Sequence, residues 1–508
     1  MDTKTFFDNF GTIADAPGGI ARLRSLILDL AVRGKLVEQI PTEKKPVFLP
    51  VDGLYVIPQN WVWCKLEDIA DYGGRGNVLP NQIIPTDWIL DLEDIEKTSG
   101  RLNFRVFASH RQTKSNKARF QVGDVLYGKL RPYLDKVLVA DLQGYCTTEI
   151  VPIVPKLGIG SFWLRLSLKS PNFLAYVDEK SYGMKMPRLG TKDAKASIHA
   201  VPPLAEQMRI ITKVNELMTL CDELEQKKKL RDDLRVAARA SSIDAISTAS
   251  TTDELNTAWK RIHENWITIA DTPESIASLR SLILDLAIRG NLTNNQVTEF
   301  DSKSGLPRSW GVSKLVDVCV YIQRGKGPKY VARSNFPVVS QKCVRWSGFD
   351  ITQARFIDPQ SLASYSDDRF LRSGDILWNS TGTGTVGRTA IYVESSEFDQ
   401  VVADSHVTVL RAPGMDPRFL WSWTASPGVQ SRISDLTSGT TNQQELNLSS
   451  IKSLDVPVPL IAEQKRIVEK VDLLMALCDE LEKSLKDREA IARKLAGSVV
   501  SDIAEVAA

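Results

Sequence analysis

Lysine and arginine side chains are concentrated in two stretches of this sequence. Nine lie within residues 101–136 against two acidic residues, and six lie within residues 321–345 with no acidic residue. Aromatic side chains are interleaved with these cations. Basic groups neutralise phosphates, and arginine, asparagine and glutamine read base edges, so both stretches predict contacts with nucleic acid. The alternative is that they keep exposed loops soluble, but two such stretches at matching places favour binding.

Two predicted turns help to select the residues that would contact nucleic acid. Each turn follows a Gly-Asp pair and a short predicted strand. Their sequences are GKLRPY at 128–133 and NSTGTG at 379–384. The candidates of the first block are Arg111, Lys114, Lys117, Lys129, Arg131, Tyr133, Lys185 and Arg188. Those of the second block are Arg324, Lys326, Lys329, Lys342, Arg345, Ser380, Thr381, Arg388, Asn442 and Gln443. Loss of a phosphate contact is expected to weaken binding to all sequences alike, whereas loss of a base contact is expected to cost ~1–3 kcal/mol at one position.

One glycine pattern resembles a phosphate-binding loop. Gly382, Gly384 and Gly387 match the spacing GxGxxG. The residues that follow predict a strand rather than the helix whose first turn binds a phosphate. The pattern therefore predicts a β-turn that carries neighbouring polar side chains.

Other residues capable of catalysis do not form a site by their spacing. The four histidines are scattered without metal-ligand spacing. Glu149, Asp375 and Asp404 lack the acid–acid–lysine grouping of a nuclease, so turn and strand-edge roles are favoured. Cys221 and Cys478 fall at apolar helix positions and are expected to be core residues. The sequence predicts no catalytic residue, no metal site and no cofactor in this chain.

The composition is that of an ordinary globular protein. The 508 residues are 43 % hydrophobic and 25 % charged, with a net charge of +2, so any basic site must be local. The N-terminus has no positive segment followed by an apolar stretch, and no segment reaches the ~20 apolar residues of a membrane span. Six widely spaced cysteines indicate neither a disulfide framework nor a zinc ribbon. These features predict a soluble cytoplasmic protein.

The elements that carry the two blocks are an internal repeat. Residues 20–36 and 276–292 are identical at 14 of 17 positions, and residues 205–225 and 462–482 at 15 of 21. Between them, the blocks at about 70–200 and 319–455 share little beyond a Gly-Asp pair. Similar helices and dissimilar blocks predict a fixed scaffold that carries two modules of separate specificity.

The second repeated segment predicts a coiled coil. Its apolar residues recur at steps of four and three, from Ile210 to Leu224 and from Ile467 to Leu485. We call these two apolar stripes the seams and expect them to pair with each other. The pairing should be weaker at Lys228, because the second copy has Leu485 at the equivalent position. The predicted fold is α+β: two globular mixed α/β blocks separated by two long antiparallel coiled-coil helices, with a pseudo-two-fold internal repeat.

This arrangement resembles the specificity subunit (HsdS) of Type I restriction–modification systems. The resemblance rests on the LILDLA-x-RGKL segment, the VPPLAEQ and VPLIAEQ starts of the long helices, the repeated Pro-x-x-Trp, the GKLRPY turn and the duplicated layout. It implies five segments: a helical segment at 1–45, target-recognition domains at 46–203 and 293–460, a central region at 204–292 and a long helix at 461–508.

The resemblance also implies a role in a larger complex. Each block would read one half of a split, asymmetric double-stranded DNA target, and the helices would set the spacing. Two methyltransferase subunits with S-adenosylmethionine would methylate adenine, and a motor–nuclease subunit would join them for restriction. This chain would then be a subunit without catalysis of its own. The alternative from the residues alone is a coiled-coil scaffold with two protein-binding modules and no DNA readout.

Overall fold

The computed structural model describes residues 10–11, 13–112, 114–183, 185–249, 252–293, 305–382, 384–398, 400–438 and 445–506. The chain forms two compact units, one of residues 1–232 with 488–508 and the other of residues 233–487. Each unit therefore holds the beginning of one long helix and the end of the other. None of the helices within the described ranges is long and apolar enough to cross a membrane.

The first unit begins with a short amphipathic helix and continues into a mixed block. Its helices are α1 (Gly19–Val32), α2 (Leu66–Ile69), α3 (Ser161–Leu168), α4 (Pro171–Lys180), α5 (Thr191–Ala196) and the long α6 (Leu204–Ser247). Its strands are β1 (Val62–Lys65), β2 (Ala70–Tyr72), β3 (Asn77–Val78), β4 (Ile89–Leu90), β5 (Lys117–Phe120), β6 (Val125–Gly128), β7 (Val137–Val139), β8 (Gly144–Cys146), β9 (Ile150–Pro155) and β10 (Ile198–Val201).

The second unit repeats this order with additional short elements. Its helices are α7 (Thr252–Glu264), α8 (Trp266–Ile269), α9 (Ser275–Ile288), α10 (Leu315–Val318), α11 (Pro417–Ala425), α12 (Pro427–Gln430), α13 (Ile433–Leu436), α14 (Leu448–Lys452) and α15 (Ile461–Val506). Its strands are β11 (Gly311–Lys314), β12 (Tyr321–Arg324), β13 (Tyr330–Val331), β14 (Pro337–Val339), β15 (Val344–Arg345), β16 (Gly348–Phe349), β17 (Arg355–Ile357), β18 (Ile376–Asn379), β19 (Thr389–Ile391), β20 (Val402–Ala403), β21 (Val407–Arg411), β22 (Thr437–Ser438), β23 (Glu445–Leu446) and β24 (Asp455–Val458).

Each block contains a four-stranded sheet of equivalent strand order, which we call the common sheet. Its order is β2-β9-β6-β7 in the first unit and β12-β21-β18-β19 in the second, antiparallel throughout. The second four-stranded sheet is β3-β5-β8-β4 in the first block and β13-β17-β14-β20 in the second, and each ends in one parallel pair. In the first block the interior strand of that pair, β8, comes later in the chain than the edge strand β4. In the second block the interior strand, β14, comes earlier than the edge strand β20. One sheet is therefore common and the other is connected differently.

The Gly-Asp pair that occurs in both blocks forms a turn into an interior strand of the common sheet, β6 in the first block and β18 in the second. Gly123 and Gly374 have φ of +88° and +91°, which a residue with a side chain rarely adopts. The buried carboxylates of Asp124 and Asp375 accept from backbone amides three residues earlier, at 2.7 and 2.9 Å. Both also bind an arginine, Arg75 and Arg411 respectively. The predicted turn role of Asp375 is thus confirmed.

The first apolar seam packs against a short helix. Ile210, Val214, Leu217 and Cys221 of α6 share one core with Leu23, Leu26 and Ile27 of α1. At the end of this seam, the Lys228 ammonium donates to the backbone carbonyls of Asp15 and Ala16 at 3.1 and 3.4 Å.

The second seam packs in the same way. Cys478 and Leu485 of α15 share a core with Leu279 and Leu282 of α9. Each long helix therefore buries its seam against the short helix of its own unit, and Ile246 of α6 joins the core of Cys478 and Leu485. The predicted pairing of the two seams with each other is not confirmed. The two cysteines are buried core residues, as predicted.

Equivalent ion pairs join short and long helices in both units. Arg24 binds Asp222 and Glu225 at 2.7 Å each, and Arg280 binds Asp479 and Glu482 at 2.5 and 3.1 Å. These groups are partly exposed, so each pair contributes about 1 kcal/mol or less to stability. Their value is geometric, because they fix the same register in both copies.

The glutamine of each AEQ segment fastens a block to the start of its long helix. Gln207 accepts from the amide of Gly160 at 2.8 Å, and Gln464 accepts from the amide of Asp416 at 2.8 Å. Each also donates to a proline carbonyl, that of Pro202 at 3.0 Å and that of Pro459 at 2.8 Å. The repeated sequence letters thus correspond to repeated contacts.

Gly34 closes the turn after α1, and we expect its replacement by alanine to destabilise the protein by about 2–4 kcal/mol. Its φ is +71°, and a Cβ would lie 2.5 Å from Pro58 Cγ, so strain and overpacking add. Gly18 is the matched control, because it has φ +72° with no atom within 4 Å of a Cβ. In thermal unfolding, the Tm of Gly34→Ala should be well below that of Gly18→Ala. An equal loss of Tm in both variants would contradict the packing argument.

Candidate nucleic-acid interface

The turn after β6 presents the first group of predicted residues. Arg131 adopts a left-handed conformation, with φ of +49°, and its amide donates to the carbonyl of Pro187 at 2.7 Å. The amide of Leu189 donates to the carbonyl of Lys129 at 3.1 Å. These bonds place the 128–135 turn beside the 182–189 loop, although about fifty residues separate them in sequence.

This pairing of loops gathers several predicted residues on one surface. Arg131 and Lys185 are exposed, Lys129 is half-buried, and Tyr133 is 54 % exposed. Arg188 is held by Glu149, with Nε–Oε2 and Nη2–Oε1 distances of 3.1 and 3.0 Å. Glu149 therefore supports the loop. We call the surface formed by Lys129, Arg131, Tyr133, Lys185 and Arg188 the first basic cluster.

Two other predicted residues of the first block serve its interior. Arg111 is bound to the carboxylate of Asp94, lies 3.3 Å from Glu93, and has a side chain only 16 % exposed. Lys117 is buried on β5 and lies 3.5 Å from Asp91. These carboxylates hold both cations within the block, whereas Lys114 between them is exposed. The first basic cluster excludes all three.

The turn after β18 is the counterpart of the first turn. Gly382, Gly384 and Gly387 all have positive φ, and the chain returns directly into strand β19. The Arg388 guanidinium donates to the carbonyl of Gly384 at 2.8 Å, which closes the turn on itself. The expectation of a β-turn in place of a phosphate-binding loop is confirmed.

The hydroxyl groups at the start of this turn differ in exposure. Ser380 is fully buried and its Oγ lies 2.5 Å from Thr408 Oγ1. Thr381 is half-buried, and its Oγ1 is 2.6 Å from Nδ1 of His406. Thr381 thus remains at the surface, whereas Ser380 holds the strand ends together and is left out of the proposed contacts.

A second hairpin of this block lies against the same turn. The side-chain amide of Asn379 donates to the carbonyls of Gln341 and Val344 at 3.1 and 3.4 Å. The hairpin presents Lys342 and Arg345, both exposed, and the 53 % exposed indole of Trp346. With Thr381 and Arg388 they form the second basic cluster.

The other predicted cations of the second block have intramolecular partners. Arg324 donates to Glu445 and to the carbonyl of Leu446. Lys326 donates to Ser364 Oγ at 3.0 Å, and Lys329 lies 3.1 Å from the Asp358 carboxylate. Lys326 and Lys329 are exposed, with flexible ammonium groups that also reach solvent. Asn442 and Gln443 lie outside the described residues.

Several groups at the first basic cluster were not predicted. Tyr182 and Met186 are 61 % and 45 % exposed beside it. Behind the turn, the buried ammonium of Lys169 binds the carboxylate of Asp135. Burial raises the pKa of Asp135 to about 6 and lowers the pKa of Lys169. Tyr182 and Met186 lie in a loop, where no helix or strand periodicity shows which side chains are exposed. No pattern in the sequence indicated the buried pair of Asp135 and Lys169.

No group of three or more potential metal ligands occurs within the described ranges. The histidine that is most deeply buried there, His199, lies between Ser167 Oγ and Ser197 Oγ at 2.8 and 2.9 Å. Burial lowers its pKa to about 4, so the ring is neutral at pH 7. These contacts give His199 a role in the core of the first block.

The chain is similar to known proteins of one kind. Residues 307–488 match the family model described as the Type I restriction modification DNA specificity domain. The chain is 29 % identical over 316 residues to the EcoAI specificity subunit of Escherichia coli, which covers 54 % of this chain and 52 % of that protein. It is 21 % identical to the E. coli EcoEI specificity subunit over an alignment that covers 93 % of this chain and 91 % of the relative. The chain thus spans about half the length of the first relative and most of the second.

A solved structure shares the fold. It comes from work on complex assembly and conformational transition of the type I R-M system, superposes with a TM-score of 0.55 at 19 % identity, and the match covers 88 % of this chain and 98 % of that one.

Proposed function

We propose that this chain is a specificity subunit of a Type I restriction–modification system, as its match to the family model and its similarity to known specificity subunits support, and that its two blocks read the two halves of a split DNA target. The first basic cluster would contact one half and the second basic cluster the other. The chain would contribute recognition, and its partners would contribute the chemistry, in the cytoplasm.

The observation that supports this proposal most strongly is the shared position of the two turns. Both follow the interior strand of the common sheet that begins at the Gly-Asp turn, β6 in the first block and β18 in the second. One presents lysine, arginine and tyrosine, and the other presents threonine and arginine beside a Lys-Arg-Trp hairpin. Two domains that recognise different DNA sequences need different exposed side chains, and here the same sheet and turn present a different set in each block. The target should therefore be asymmetric.

The long helices would supply spacing and docking. A helix of 44 residues such as α6 is ~66 Å long at about 1.5 Å per residue. We propose that α6 and α15 run antiparallel and fix the gap between the half-sites, which is supported by each compact unit holding the beginning of one and the end of the other. Two methyltransferase subunits that use S-adenosylmethionine would dock on this repeated scaffold, and a motor–nuclease subunit would join for restriction.

Methylome sequencing tests the proposal. A methylation-free host would express this chain with the methyltransferase encoded beside it, and a parallel culture would lack this chain. We expect a split, asymmetric motif methylated on adenine that disappears without this chain. A stable complex that methylates no motif would overturn DNA reading and leave the protein-binding scaffold as the better explanation.

Lys114 and Lys185 are exposed and lie outside the 128–135 turn, so we expect them to contact phosphates rather than bases. We expect Lys114→Ala and Lys185→Ala each to weaken binding of the complex to cognate and noncognate duplexes by the same factor, and to reduce the slope of log K against log salt by about one. Lys45→Ala, an exposed lysine outside both basic stretches, is the control. A loss confined to the cognate duplex would instead assign the lysine to a base.

A further inference from the structure

Backbone strain in this chain is concentrated in one place. Among the residues that the structure describes, those other than glycine with positive φ are Thr98, Arg131 and Asp135, at +66°, +49° and +50°. Two of them bracket the turn of the first basic cluster. The third is tied to that turn, because the amide of Thr98 donates to the carbonyl of Leu134 at 2.8 Å.

A single buried ammonium group holds this strained backbone together. Lys169 Nζ donates to the carbonyl of Thr98 at 2.7 Å, to the carbonyl of Asp135 at 3.2 Å and to the carboxylate of Asp135. The residue is 6 % exposed. Arg165, one helical turn earlier, adds bonds to the carbonyls of Ser99 and Val137 at 2.8 and 3.0 Å. Helix α3 and Lys169, the residue that follows it, thus fix both the 128–135 turn and the adjoining backbone at Thr98 and Ser99.

Stability alone is a poor explanation for this arrangement. Burying an ion pair costs desolvation energy that the attraction between the charges only partly offsets. The second carboxylate oxygen of Asp135 is buried without a hydrogen-bond donor. Strained residues also raise the free energy of the folded state and persist only where the surroundings hold them. Such features are typical of sites whose geometry must be set in advance.

In the part of the second block that the structure describes, the turn is held differently. Its Ser-Pro pair at 426–427 corresponds to Ser170-Pro171, so Ala425 stands where the first block has Lys169. Its turn obtains positive φ from Gly382, Gly384 and Gly387, which adopt such angles without strain. The two turns therefore occupy equivalent places but are held by different means.

We propose that Lys169 is a positioning residue for the first half-site: together with Asp135 it holds the 129–135 turn in its DNA-reading conformation before DNA binds. The inference rests on the proposed function of the first basic cluster. Lys169 itself is buried and contacts no DNA. Its effect is to remove the ordering of the turn from the binding step, which sharpens discrimination at that half-site alone.

Hydrogen exchange without DNA tests the positioning directly. In the complex with its methyltransferase subunits, Lys169→Met should speed exchange of the Arg131, Leu134 and Asp135 amides about tenfold or more. The double variant D135N/K169M removes both charges of the buried pair and keeps an asparagine at positive φ, and Arg165 keeps its bonds to the carbonyls of Ser99 and Val137, so it should fold and show the same change. Lys156→Met is the matched control, because this lysine donates to the carbonyl of Glu67 at 2.6 Å and faces Asp71 at 3.7 Å.

Binding to duplexes with the methylated motif and its single-base variants gives the second readout. We expect K169M and D135N/K169M to lower discrimination about tenfold at one half-site and to leave the other unchanged. Unchanged exchange at the turn, or equal losses at both half-sites, would overturn the proposal. Failure of the proposed function is distinguishable, because the wild-type complex would then methylate no motif before any substitution is made, and this inference would fall with it.

Discussion

Exchanging residues 62–201 for the corresponding block of a relative changes one half of the methylated motif and leaves the other half as it was. The two ends of this block lie side by side, because β1 and β10 pair antiparallel with Val62 opposite Val201 and Lys65 opposite Ile198. A block that closes on itself in this way is replaceable without altering the path of the scaffold. Methylation at the original motif should fall by about 10³-fold or more, the usual gap between specific and nonspecific sites.

The second block provides the matched exchange. Strands β11 and β24 pair Gly311 with Val458 and Lys314 with Asp455, so residues 311–458 are bounded in the same way. This exchange should alter the other half of the motif. Methylome sequencing of both chimaeras reads the result. If either exchange changed both halves, or neither, the assignment of one block to one half-site would be wrong.

The repeat and the two blocks were readable from the sequence, but the partner of the apolar seams was not. A pattern with steps of three and four residues shows that a helix buries a stripe, and it carries no information about the element that covers it. The stripe of α1 supplies that cover here, with Leu23 and Ile27 fully buried against the seam of α6. Both stripes were visible in the sequence, and their pairing became clear only in three dimensions.

The candidate residues illustrate a second limit. Local charge counts pointed to particular loops but could not separate surface cations from structural ones. Arg111 binds Asp94, seventeen residues earlier, where a count restricted to the basic stretch gives it no partner. Conversely, the contact of the 128–135 turn with the 182–189 loop depends on backbone bonds such as Arg131 to Pro187. Bonds of this kind leave no pattern in side-chain types.

Replacing Arg411 by methionine destabilises the second unit by about 3–5 kcal/mol, the loss expected when a buried carboxylate is left unpaired. Asp375 is 1 % exposed and binds Nε and Nη2 of Arg411 at 2.8 and 2.7 Å. Arg411 also donates to the carbonyls of Asp368 and Phe370 at 3.2 and 2.9 Å. Removal of the guanidinium therefore leaves one charge and two carbonyls without this donor. Thermal unfolding followed by tryptophan fluorescence measures the loss, which is expected to be roughly 10 °C or more in Tm.

A double-mutant cycle separates the buried charge from the lost packing. R411M/D375N should be markedly more stable than the sum of the two single effects predicts, because the double variant buries no unpaired charge. Arg75→Met is the comparison in the first unit: its side chain is 30 % exposed against 12 % for Arg411, so water reaches the site more easily and a smaller loss is expected. Additive effects in the cycle would mean that Arg411 acts by packing alone. A coupling of about 2 kcal/mol or more would identify the Gly-Asp turn and its arginine as the electrostatic frame on which the exposed turn is built.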